Sequence, residues 1–155
     1  MTFFALEHLN LIVLFAGLAS WTSLAAFNNL RAFRHGTLYV GFIMGMSALD
    51  MPDAPDHPLT ARAVRSQRVH KLAFGAIILV EIAVAALLWT ALAQVVMFGP
   101  ALSELAAFGA LTGFMGLAFL LLVSGSWFAY YAHMEQAQLT HFVMILVALA
   151  GMIAI

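Results

Sequence analysis

Cysteine is absent from the 155 residues, and charge is scarce, with only 8% of the chain Asp, Glu, Lys or Arg. Lack of cysteine excludes disulfides, iron–sulfur clusters and cysteine-type zinc sites, and leaves the redox compartment unmarked. The scarcity of charge excludes more. A soluble domain is about one quarter charged, and this chain has too few charges to cover its surface against water. A soluble enzyme, a nucleic-acid binder and a disordered chain are therefore ruled out. A net charge of -1 sets up no global field for polyanions. What is present is apolar, 65% of the residues. The expected fold is all-α, an integral membrane four-helix transmembrane bundle. Its expected partners are membrane lipids and other integral membrane subunits, with no nucleic acid.

Leu9 to Leu30 is uncharged and longer than the roughly 20 residues that cross a hydrocarbon core. Met1 to His8 contain no Lys or Arg, so a retained first span is expected rather than a secretory signal. A single transmembrane domain over residues 1–155 is predicted, with spans at about 9–28, 72–98, 105–132 and 137–155 and a polar loop at 29–71. Pro52, Pro55 and Pro58 stand three apart in that loop, which no helix interior tolerates. Residues 36–49 are apolar but too few to span, which predicts a short interfacial or re-entrant helix. Gly99-Pro100 reads as a turn, with Ser103 as a helix cap and Glu104 in the first turn.

All six basic residues, Arg31, Arg34, Arg62, Arg65, Arg68 and Lys71, lie between the first and second spans. The positive-inside rule then predicts a cytoplasmic loop 29–71 with both termini on the opposite side. The same arginines form a candidate partner-binding loop. Trp127, Tyr130 and Tyr131 gather as an aromatic belt would.

Glu81 is the one charge deep in a span, about 13 Å from its predicted start. A central acid costs about 2.5–3.5 kcal/mol to insert. Glu81 is therefore a candidate proton or ion site or a cofactor contact, the structural alternative being a neutral acid bonded to a neighbouring helix. Thr90, Ser124, Ser20, Ser23 and Trp21 are its candidate partners by residue type. His35, His70, His133 and His141 are expected near one membrane face, where they are candidates for holding haem b or a quinone. They have no single-helix ligand spacing, and an amphipathic ring is also comfortable there unliganded. Asp50, Asp53, Asp56 and His57 form the densest hard-ligand cluster, without the Gly and terminal Glu of a calcium loop. Gly109, Gly113 and Gly116 predict a close helix contact. No catalytic residue is identified.

Several stretches together resemble a family of small bacterial integral membrane proteins of four spans and unknown function. They are Asn28, the Met-rich segment closing on Asp50, Arg62-Ala63-Val64, Glu81, and Gly125-Ser126-Trp127-Phe128. The chain departs from that family at Ser126, where an acid is usual, and lacks a Trp-Asn-Gly element before Gln136. The resemblance implies a multi-pass protein of the bacterial inner membrane and supplies no reaction. The expected function is a non-catalytic accessory subunit of a larger respiratory, photosynthetic or other redox complex. The alternatives are a haem b- or quinone-binding anchor, and a small proton- or ion-coupled transporter using Glu81.

Overall fold

The computed structural model describes residues 3–49 and 57–155, with side chains from His8 onward. Five α-helices dominate: α1 (Phe3–Arg31), α2 (Phe33–Met44), α3 (Gln67–Phe98), α4 (Pro100–Trp127) and α5 (Glu135–Ile153). Short 3-10 turns at Ser47–Leu49, Pro58–Arg62 and Tyr130–Ala132 punctuate the connections, and no strand occurs among the described residues. Four helices, α1, α3, α4 and α5, are long and apolar enough to cross a membrane. The all-α four-helix bundle expected from the sequence is the fold observed.

The helix ends differ from the hydropathy boundaries for local reasons. α1 runs on to Arg31 and α3 starts at Gln67, because a helix continues beyond the hydrocarbon as far as its backbone bonds allow. α4 stops at Trp127, short of the expected residue 132. Ala129 takes a left-handed conformation (φ 53), which ends the helix and turns Tyr130 back toward the bundle. Gly99, at φ 78, closes α3 and opens α4 in one residue, a conformation natural to glycine, and Pro100 pre-sets the first turn. Ser103 is thus inside α4 rather than its cap, and its hydroxyl donates to the Gly99 carbonyl at 2.7 Å.

α1 packs against α3, α3 against α4 and α4 against α5. α1 and α3 are antiparallel, since His8 reaches the Val95 carbonyl (2.9 Å) while Asn29 reaches Glu81. Large side chains such as Phe15, Leu88, Leu111 and Phe114 meet small ones such as Ala19, Ala91, Ala110 and Ala148 in one buried core. The outer face is also apolar, with Leu72, Leu102, Leu105 and Ile153 all more than 70% exposed, as a lipid-facing surface requires.

α2 is the short helix expected in the first loop, about 18 Å long, and it lies on α3. Its glycines admit the contact: a Cβ at Gly36 would run into the Phe74 ring, and one at Gly41 would sit 2.8 Å from His70 Nδ1. The loop then straps α2 down. Val64 N–H donates to the Met44 carbonyl at 2.8 Å, and the Val64 carbonyl accepts from His70 Nε2 at 2.7 Å. Arg62 stacks over the Trp127 ring, 4.4 Å from its centroid.

One buried hydroxyl on α2, that of Thr37, has no hydrogen-bond partner among the described residues. Thr37→Val keeps the shape and removes an unpaired group, so we expect it to stabilise the fold by roughly 1 kcal/mol. Thermal unfolding in detergent measures this, and a lowered Tm would mean that the hydroxyl has a partner.

Candidate functional site

Glu81 lies about 21 Å along α3 from Gln67, on the face turned to α1, and is only 6% exposed. Asn29, in the last turn of α1, donates from Nδ2 to both carboxylate oxygens, each at 2.9 Å. Hydrogen bonds to a charged acceptor contribute about 1.5–3 kcal/mol, enough to offset much of the insertion cost. Of the five partners expected from residue type, Trp21 lines a cavity with Glu81 and three are occupied elsewhere. Thr90 and Ser124 bond the carbonyls of Ala86 and Leu120, four residues back in their own helices, and Ser23 accepts from the Trp89 indole. Asn29 falls at the first position of the polar loop expected at 29–71, and the structure places it in α1. Its signal in the sequence is an amide closing an otherwise apolar span.

A cavity of about 150 Å³ adjoins Glu81. It is lined by Trp21 and Thr22 from α1, Glu81 from α3, Phe114 from α4, and Thr140 and His141 from α5. A second cavity, of about 310 Å³, lies beneath α2 and is nearly all apolar, with Val40, Met44, Ile77, Phe128, Tyr130 and His141 on its walls. His141 lines both. Its Nδ1 lies 3.1 Å from the Tyr130 hydroxyl, and the two rings are stacked. Burial pushes the Tyr130 phenol above its ordinary pKa, so it remains neutral.

The four candidate histidines are dispersed. His35 and His133 are exposed, the latter tilted beside Phe42, while His70 is buried and bound to Val64. Only His141 faces a cavity in the bundle interior. Asp50, Asp53 and Asp56 lie outside the described residues. His57 accepts from the Leu59 N–H at 3.2 Å and so caps the 3-10 turn that follows. Among the described residues, no group of three His, Asp or Glu side chains gathers in metal-binding proximity. Of the basic residues, Arg62 covers Trp127 and Arg31 lies over Phe27, while Arg34, Arg65 and Arg68 are exposed.

Gly109, Gly113 and Gly116 of α4 do not share one contact. A Cβ at Gly113 would meet Leu87 of α3 at 3.1 Å, whereas at Gly109 and Gly116 it would meet nothing within 4 Å. Seven residues return almost to the same azimuth of a helix and four overshoot it. Gly109 and Gly116 therefore point outward together, and Gly113 turns toward α3.

These features define a small all-α integral membrane protein with a carboxylate–amide pair inside the bundle. The chain belongs to the family described as predicted small integral membrane protein (DUF2165), whose profile matches residues 8–155. No curated protein and no solved structure matches it.

If Glu81 and Asn29 act as one unit, their substitutions are non-additive. We expect Asn29→Leu to destabilise the fold by about 1–3 kcal/mol, and Glu81→Leu/Asn29→Leu to lose clearly less than the two single changes summed. Additive losses in a denaturation series would show that the contact contributes nothing.

Proposed function

We propose that the protein is a non-catalytic subunit of a larger complex of the bacterial inner membrane, of the energy-converting class. Its own contribution is a proton-holding site at Glu81. The Glu81–Asn29 pair carries this reading. An ionised carboxylate accepts from Asn29 Nδ2. A half-turn of the amide presents Oδ1, which accepts the O–H of the protonated acid. The pair is satisfied in both states, so a proton can come and go without leaving a polar group orphaned in hydrocarbon. The adjoining cavity has Thr22, Thr140 and His141 on its walls, polar enough to admit water beside the carboxyl.

Infrared spectroscopy tests the site directly. The purified protein should show a carboxyl C=O band that disappears in Glu81→Gln, shifts within minutes of transfer to D₂O, and titrates with the medium. A band indifferent to D₂O and pH marks a sealed structural acid and ends the proton reading.

Membership of a complex is supported by the outward face of α4, where Gly109 and Gly116 leave room for a neighbouring helix. Mild-detergent extraction should recover the chain in an assembly well above its own 16.8 kDa. Gly116→Leu should release it without lowering the Tm of the isolated protein. A lone chain in the wild type would favour the self-contained transporter instead.

The basic loop supports a cytoplasmic position for residues 29–71. Because the protein has no native cysteine, Thr60→Cys should react with an impermeant maleimide only from the cytoplasmic side. Ala154→Cys should react only from the other. The reverse pattern inverts the topology.

A further inference from the structure

We propose that the cavity beneath α2 binds the headgroup of a membrane-dissolved quinone, with His141 and Tyr130 as its polar contacts. At about 310 Å³ the cavity is at the lower end of small-ligand sites, which are mostly apolar with a few directed polar groups. Its walls carry three polar side chains, Ser124, Tyr130 and His141. The Ser124 hydroxyl is already committed to the Leu120 carbonyl at 2.6 Å. The usable chemistry is therefore the Tyr130–His141 pair.

The Tyr130 hydroxyl can donate to His141 Nδ1 or accept from it, and we assign it as the donor. With the Tyr130 hydroxyl donating to Nδ1, the imidazole proton sits on Nε2, which becomes a donor. The matching occupant is an apolar molecule with a hydrogen-bond acceptor, and a ring carbonyl on a flat conjugated body meets both requirements. The rings of Phe128 and Tyr130 supply an aromatic wall for such a body. An acyl chain would leave Nε2 without an acceptor. Entry from the bilayer is consistent with α2 as the cover, since its outer residues Leu38, Tyr39 and Phe42 are apolar and exposed. The inference stands on the cavity and its donor pair, independently of proton exchange at Glu81.

The test is a titration of the delipidated protein in detergent with decylubiquinone, read as quenching of intrinsic tryptophan fluorescence and corrected with a free tryptophan analogue in the same micelles. Wild type should saturate at one quinone per chain. His141→Leu should lose the donor and weaken binding about tenfold, the scale of one hydrogen bond to a buried ligand. Ala137→Phe, which places a ring in the cavity, should abolish saturation. Glu81→Gln should bind as wild type does, so failure at Glu81 and failure here are separate results. Unsaturable quenching in wild type, or wild-type affinity in Ala137→Phe, overturns the proposal. Undiminished affinity in folded His141→Leu overturns it as well, because the cavity would then be selecting for grease alone. If His141→Leu does not fold, Ala137→Phe decides.

Discussion

Hydrocarbon neither donates nor accepts hydrogen bonds, so a polar side chain on a membrane-spanning helix needs its partner from the protein itself. Thr22, Thr90, Ser124 and Thr140 each return their hydroxyl to the carbonyl four residues earlier, at 2.6 to 2.9 Å. Such a bond is internal to one helix and commits nothing about its neighbours. The contacts between helices are fewer and more consequential. His8 bonds the Val95 carbonyl, Trp89 bonds Ser23, and Asn29 bonds Glu81, and all three join α1 to α3. They fix the register of that antiparallel pair along its length, and the register decides which apolar residues of α1 and α3 can meet α4 and α5.

The pairing also divides the bundle along its axis. Toward the Gly99 end, Leu11, Phe15, Val95, Ala107, Leu111 and Ala148 form a closely packed apolar core. Toward the α2 end lie Asn29, Glu81, Tyr130 and His141, the two cavities, and the whole set of basic residues. The second half relaxes that packing around polar groups, as a site must. A short helix covers it instead of a fifth span, and glycines at positions 36 and 41 let the cover lie close against Phe74 and His70 of α3.

Much of this was legible in the sequence because hydropathy reports what a residue avoids. The four long apolar runs gave the four spans, and the too-short run at 36–49 gave α2. Glu81 stood out by charge alone. Its partner did not, since Asn29 sits among polar residues at a span end, and only the antiparallel register with α3 brings it to the carboxylate. Nor could spacing separate the histidines. His70 and His141 both lie near the ends of spans, yet one is fastened to the Val64 carbonyl and the other faces two cavities. The difference comes from Ala129, whose left-handed backbone turns Tyr130 inward to meet His141. Alanine gives no warning of that conformation. The Gly109, Gly113 and Gly116 pattern was similarly ambiguous, because a small residue marks a possible close approach without saying from which side.

His141 lines both the cavity beside Glu81 and the one beneath α2, so any change in its position alters both. Its Nδ1 bond and ring stacking hold it to Tyr130, and Tyr130 is held by the turn that ends α4. The cover has a parallel anchorage: Met44 at the end of α2 is fastened to Val64, Val64 to His70 at the start of α3, and Arg62 to Trp127 at the end of α4. Both anchorages therefore converge on the end of α4 and the turn that follows it, residues 125–130. A side chain introduced there would act on the cover and on His141 together, whereas one introduced at Gly109 or Gly116 would act on neither. The end of α4 is thus tied to the interior of this chain, while a Cβ at Gly109 or Gly116 would touch none of it.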